Sequence, residues 1–215
     1  MRRVFFVILF FNLCNSAIVY SFTKNENFYE GEIELKSNEV KRGKFTIDFE
    51  TDIVRFFNSN GTVDAYSAYN ISSILFYDDL INQPRVFVSM NISPTNENNG
   101  HFLYEIVKVG KMDILRRAEK NINITKIATL PIGPRVHQFD KKFDYFIYFK
   151  GNLIPMKDFM NSVFPILSKE IENDLSLYAK KRNLDLRDKL QPLILIEYFN
   201  AISNDATRLA KASVD

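Results

Sequence analysis

The chain has 215 residues, with 28 Lys and Arg against 26 Asp and Glu, two His, one Cys and no Trp. A net charge of +2 gives no electrostatic footprint for nucleic acid, and a lone cysteine excludes a disulfide framework. Stability must come from a buried core.

In chain order, Met1-Arg2-Arg3 precedes an apolar run from Val4 to Phe11 and then Asn12-Leu-Cys-Asn-Ser-Ala17. A basic start, a short apolar centre and small residues after it predict a signal peptide over 1–21, cleaved after Ala17 or Ser21. The run falls short of the roughly 20 apolar residues a bilayer span needs, so no stable span is expected after cleavage. Cys14 invites a lipoprotein reading, but Leu13 before it is not small, and lipidation is not expected. Cleavage would remove Arg2, Arg3 and Cys14, leaving a neutral chain without cysteine, periplasmic or secreted. About 190 residues suffice to bury a core.

Tyr29 to Lys36 alternates, with Glu30, Glu32, Glu34 and Lys36 on one face and Tyr29, Gly31, Ile33 and Leu35 on the other. This predicts a strand with one wet face, and the three carboxylates read as that face rather than as a cation site. A turn at Ser37-Asn38 would set Leu35 opposite Val40 and Glu34 opposite Lys41, and Gly43 in the next strand marks a bulge or bend. A third strand covers Asp52 to Asn58. Asn60-Gly61 predicts a hairpin with Val54 and Phe56 on the same face as Val63 and Ala65. Asn70 to Tyr77 is the fifth strand, and Asp78-Asp79 after it reads as turn chemistry, not as a calcium site, which wants about six to eight oxygens. Arg85 to Ile92 is the sixth, followed by a polar loop from Ser93 to Gly100.

Phe102 to Arg117 predicts a hairpin with a type II′ turn at Gly110-Lys111. That register opposes Val109 to Met112, Lys108 to Asp113, Val107 to Ile114, Ile106 to Leu115, Glu105 to Arg116 and Tyr104 to Arg117. Its charge pairs mark register rather than a site. Ala118 to Gln138 reads as a long excursion with a short strand at Ile124 to Leu130, and it is the candidate binding loop. Phe143 to Lys150 is a further strand turning at Gly151-Asn152, its aromatics core rather than a stacking platform.

After Pro155 the apolar period lengthens to a helical one. A short helix over Lys157 to Phe164 would bury Phe159, Met160, Val163 and Phe164 and stop at Pro165. Ser168 would cap a second helix with Ile171, Leu175, Tyr178 and Ala179 on its stripe. A third would start at Asp188 with Gln191 completing a capping box, and bury Leu190, Leu193, Ile194, Tyr198, Ala201 and Ile202. The predicted organisation is a β domain over 22–156, a helical region over 157–203 packed on it and a frayed tail over 204–215.

No nucleophile elbow, P-loop, dinucleotide fingerprint or HExxH occurs. Neither His101 nor His137 has metal-ligand spacing to another ligand, and the sequons at Asn60, Asn70 and Asn123 arise by chance in an Asn-rich chain. No catalytic, metal or cofactor residues are assigned.

The strings GEIELKSNEVKRGKF, SSILFYDD, FLYEIVKVGKMDILRR, FDYFIYFKGNLIPM and IEYFN, in that order, resemble a group of uncharacterised exported proteins of Bacteroidota, over about Tyr29 to Asn200. The resemblance implies export and a β-rich domain with a helical C-terminus, and brings no catalytic residues. The expected fold is α+β, an antiparallel meandering sheet curling toward a barrel or half-barrel with two or three C-terminal helices. The expected function is a non-enzymatic binding or interaction module of the cell envelope, with an envelope protein or small ligand as partner. The alternatives are a small-ligand carrier using the inside of the curl, around Phe143 to Phe149, Phe102 and Tyr104, and a hydrolase using His101 or His137 with a carboxylate.

Overall fold

The computed structural model describes residues 27–79, 81–91, 100–118, 142–170 and 174–212, with side chains as far as residue 203. The predicted signal peptide with Cys14, the loop after Ile92, the candidate binding loop beyond Ala118, the strand at Ile124 to Leu130, Ile171, Asn123 and His137 lie outside these residues.

The strands are β1 (Phe28–Leu35), β2 (Val40–Asp48), β3 (Ile53–Phe57), β4 (Val63–Ser67), β5 (Ile71–Asp78), β6 (Gln83–Asn91), β7 (His101–Lys108), β8 (Asp113–Ala118), β9 (Phe143–Phe149) and β10 (Asn152–Pro155). They form one open antiparallel sheet in the order β10-β9-β8-β7-β6-β5-β1-β2-β3-β4. The meander runs outward from β1 to β4, steps back across to β5, and runs the other way to β10. That step requires the curl. On a flat sheet β4 and β5 would lie about 19 Å apart at ~4.8 Å per strand. Three residues join Ser67 to Ile71, an extended reach of only about 14 Å.

Turn residues plug one end of the roll. Phe49 packs its ring 5.3 Å from that of Phe87, the Ala68 N–H donates to the Asp52 carbonyl at 2.9 Å, and the Ser89 hydroxyl donates to the Ala68 carbonyl. Asp52, buried and in the left-handed region at φ 55°, accepts the Leu103 N–H at 2.9 Å and Arg117 Nη2 at 2.6 Å. The ladder between β7 and β8 begins only at Glu105 and Arg116, so the predicted Tyr104–Arg117 pair is not part of it.

Strand alternation gives the sheet one continuous inner face. A single row across it opposes Ile33, Ile74, Phe87, Glu105, Arg116 and Tyr145. Toward the β1 end of the row, Ile33, Phe45, Val54, Phe56, Ile74, Phe76, Phe87 and Leu103 fill the curl as one core. Toward its β9 end, Ile114, Tyr145 and Ile147 pack with helical residues, including Phe159, Val163, Leu167, Leu193, Ile196 and Phe199, as a second. Phe143, Tyr145, Ile147 and Phe149 are buried, as expected of core.

Four turns differ from expectation, each for a local reason. Lys36-Ser37-Asn38 is a three-residue loop with Asn38 at φ 66°, so Glu34 faces Val40 rather than Lys41. Ser59-Asn60-Gly61 repeats the device with Gly61 at φ 83°. The slip sets Val54 opposite Tyr66 and Phe56 opposite Asp64, which turns Val63 and Ala65 outward. Lys150 and Gly151, both with positive φ, form the β9–β10 turn one residue earlier than predicted, pairing Phe149 with Asn152. In the β7–β8 hairpin, Glu105/Arg116 and Ile106/Leu115 pair as expected, but a bulge then sets Lys108 opposite Ile114 instead of Asp113. Val107/Ile114 and Val109/Met112 are not formed.

That bulge has a tertiary cause. The Asp113 carboxylate accepts the Gly110 N–H at 2.9 Å, so residues 109–112 form a wider loop. Buried Asn200 accepts the Met112 N–H at 2.9 Å and donates to the Met112 carbonyl at 2.7 Å, like a neighbouring strand. Any Cβ on Gly110 would lie 2.3 Å from the Asn200 amide. Lys111 also pairs with Glu170. Gly43 keeps an unbroken register opposite Gly31, and the irregularity falls instead between Glu34 and Leu35, against β5.

The helices are α1 (Phe164–Glu170), α2 (Asp174–Lys181) and α3 (Gln191–Ala212), preceded by a 3-10 turn over Met156–Asp158 and a π turn over Phe159–Val163. Pro165 does not stop the helical run. The Phe164 N–H donates five residues back to Phe159, and the proline sits just past this wide turn, where its missing N–H does little harm. Met160 is exposed, and Ser168 lies inside α1 rather than capping α2. Asp188 accepts the Leu190 and Gln191 N–H groups as a cap, so α3 begins at Gln191, and Gln191 Oε1 accepts the Asp185 N–H instead of closing a box on Asp188. The buried stripe of α3 is Leu193, Leu195, Ile196, Phe199 and Asn200; Ala201 is exposed. The helix runs on into the predicted tail as far as Ala212.

Candidate functional site

The ladders around β1 do not end together. β1 pairs with β5 only from Gly31/Phe76 onward, whereas β1–β2 pairing continues to Phe28/Thr46 and β5–β6 pairing to Asp78/Gln83. The first residues of β1 and the last of β5 therefore splay into a fork, which opens a groove of about 840 Å³. Asn27, Phe28, Tyr29, Glu30, Lys44, Tyr77, Asp78 and Asp79 line it. The volume lies within the roughly 300–1,000 Å³ usual for ligand clefts.

Alternation decides which side chain does what. Phe28, Glu30 and Tyr77 point to the outer face, with Phe28 57% and Tyr77 49% exposed. Tyr29 and Asp78 point inward and form the floor. The Tyr29 ring packs 4.2 Å from that of Phe76, and its phenol is pushed up by burial against the opposing pull of Arg85. Asp78 does not behave as turn chemistry: it is buried and receives Arg85 Nη1 at 3.1 Å. At the rim, Glu30 and Asp79 form no ion pair among the described residues.

Behind the floor runs a buried chain of alternating charge. Arg85 grips Glu105 at 3.0 and 2.9 Å, and Arg116 grips the same carboxylate at 2.8 and 3.0 Å. With Asp78 the chain holds two guanidiniums and two carboxylates. Arg85 lies 5.0 Å from the Phe87 ring centroid and 5.7 Å from that of Phe76, and Arg116 lies 4.2 Å from that of Phe143. Burial pushes the Glu105 carboxyl up, but Arg116 and Arg85 outweigh it and hold it at about 2. Asp52 goes the other way, because burial outweighs the Leu103 N–H and Arg117. A neutral, hydrogen-bonded chain leaves no charge over for a ligand; it fixes the floor of the groove instead. Glu105/Arg116 thus marks register and belongs to a network the hairpin alone could not reveal, since Asp78 and Arg85 arrive from β5 and β6.

The other sequence candidates lie elsewhere. Glu32 pairs with Arg42 at 2.7 Å and Glu34 accepts the Ser73 hydroxyl, so only Glu30 of the three alternating carboxylates reaches the groove. Tyr104 packs edge-on to Phe146 at 5.0 Å, and Phe102 lies under Arg117. His101, at the opposite strand ends, meets Lys36, Ser89 and Tyr69. Among the described residues no group of three or more His, Cys, Asp and Glu could hold a metal ion, and no helix is long and apolar enough to cross a membrane. The fork is not legible in the sequence because it depends on where three ladders stop; the aromatics on a strand start and a strand end, Phe28 and Tyr77, are the available signal. No protein-family model, curated protein or solved structure matches the chain.

Proposed function

We propose that this chain is an exported, non-enzymatic interaction module of the cell envelope, and that the fork between β1 and β5 receives an extended segment of a partner protein. The observation that carries this reading is the early end of the β1–β5 ladder beside exposed Phe28 and Tyr77. An extended peptide entering such a fork can add main-chain hydrogen bonds to the splayed strands while its side chains meet the flanking aromatics. Glu30 and Asp79 against Lys44 give the rim a small acidic excess, which favours a segment with a basic side chain. Export rests on the sequence of residues 1–21. The interior of the curl is filled by Ile33, Phe45, Phe76 and their neighbours, which disfavours the alternative of a small-ligand carrier using that interior.

The test is a pull-down from envelope extract with the mature chain as bait, run beside a Phe28→Ala/Tyr77→Ala variant whose thermal melt matches. A protein recovered by the first and lost by the second supports the reading. Equal recovery by both baits, or no partner together with turnover of a substrate, overturns it.

A further inference from the structure

At the strand ends opposite the groove, two groups able to carry positive charge are pressed together. Lys36 Nζ lies 3.1 Å from His101 Nδ1 and 3.4 Å from Nε2, and 5.1 Å from the Tyr69 ring centroid. The Tyr69 and His101 rings meet edge to face at 5.2 Å, and Tyr69 is 67% exposed. The cluster is built from three separate turns and strand ends. Lys36 follows β1, with its N–H donating to the Asn70 carbonyl at 2.9 Å; Tyr69 lies between β4 and β5; His101 opens β7. From β6, Ser89 places its hydroxyl 3.4 Å from His101 Nδ1. No carboxylate among the described residues pairs with Lys36 or His101.

We propose that Lys36, His101 and Tyr69 form a binding site for the oxyanion of a small ligand, with the body of that ligand lying on the exposed Tyr69 ring. At 3.1 Å the Lys36 ammonium donates to an unprotonated His101 ring nitrogen, and burial followed by the Lys36 charge holds the imidazole pKa below its ordinary value. An oxyanion seated against both groups in place of that direct hydrogen bond reverses the balance: it accepts from the ammonium and from the imidazolium, and so favours the protonated ring. Among the described residues the charged and titratable groups facing His101 are Lys36 and Tyr69, with the Ser89 hydroxyl as a neutral donor. The site is separate from the fork and does not depend on its occupant.

His101 and His137 are the only histidines, so two ring signals suffice to follow the test by NMR. The pH titration of His101 in the mature chain is recorded with inorganic phosphate, with acetate and with chloride at matched ionic strength. The expected result is a rise of the His101 midpoint with the binding anion, no matching change at His137, and loss of the effect in Lys36→Met. A rise with phosphate alone assigns the site to phosphoryl groups; a rise with both anions assigns it to oxyanions including carboxylates. An unchanged His101 midpoint with both, or an equal rise in Lys36→Met, overturns the proposal. Tyr69→Leu, which leaves both cations in place, should keep the shift with inorganic phosphate and so separates anion binding from a general disturbance of the cluster.

Discussion

Strands β1 to β6 bury their inner face by rolling it against itself, whereas β8 to β10 bury theirs under helices, and the two halves draw on different stretches of sequence. The rolled half is closed by local hairpins and by turn residues such as Phe49 and Asp52. The roofed half depends on contacts across long separations, the clearest being Asn200 of α3 on the backbone of Met112, 88 residues away. Between the halves the same face carries the Asp78–Arg85–Glu105–Arg116 chain. Apolar side chains in that row would merge the two cores; the ion chain joins them with directional bonds instead, and it sets the floor of the groove.

The largest effect expected is from removing the centre of that chain. Glu105→Ala strands two guanidiniums beside a buried space and should cost about 3–5 kcal/mol in urea denaturation. A loss below about 1 kcal/mol would mean that water or rearrangement satisfies them. The same residue governs acid lability. Its folded pKa, about 2, lies below its unfolded value, so its contribution is complete above the unfolded pKa and is lost as pH falls through the folded one. Urea midpoints should therefore fall between about pH 5 and pH 2, and Glu105→Gln should flatten that dependence. Asp52, shifted upward, has the opposite sign: its contribution is present at low pH and is lost as pH rises through its folded pKa. Asp52→Asn, which keeps an acceptor for the Leu103 N–H and tolerates the left-handed conformation, is expected to be milder at neutral pH than Asp52→Ala.

In the roofed half, Asn200→Ala leaves the Met112 N–H and carbonyl without their partners and should cost about 1–3 kcal/mol. Amide exchange at Met112 should accelerate in that variant more than at Ile33 in the rolled half. Gly110→Ala should weaken the same clasp, since its Cβ would collide with the Asn200 side chain. The smallest effects belong to the turns. Gly61→Ala, at φ 83°, should cost about 1 kcal/mol in thermal melts, whereas Asn38→Gly, at φ 66°, should be close to neutral.

The same division explains what could be read from residues alone. Period-two alternation located the strands, because Ile33 and Leu35 or Tyr145 and Ile147 must face one core whatever lies above them. Exact registers were harder to read: Asn60-Gly61 predicts a two-residue turn, but a three-residue loop ending in the same glycine satisfies its conformation equally well and turns Val63 and Ala65 outward. The bulge near Lys108 was illegible for a different reason, since its cause, Asn200, lies on α3. In α3 the stripe is legible only in part: Leu193 is buried and Leu190 and Tyr198 pack against the core, but Leu193 to Ile196 are all apolar, and only packing selects Leu195, Ile196 and Phe199. The groove followed neither pattern: Phe28 and Tyr77 are ordinary strand residues until three ladders end at different points.

The ion chain couples the two cores into one cooperative unit. Urea unfolding followed by hydrogen exchange at Val54 of β3 and Ile196 of α3 tests it directly, in the native chain and in Glu105→Gln. Coincident midpoints are expected for both probes in the native chain and separated midpoints in the variant. Separate transitions already in the native chain, or coincident ones in both, would contradict it.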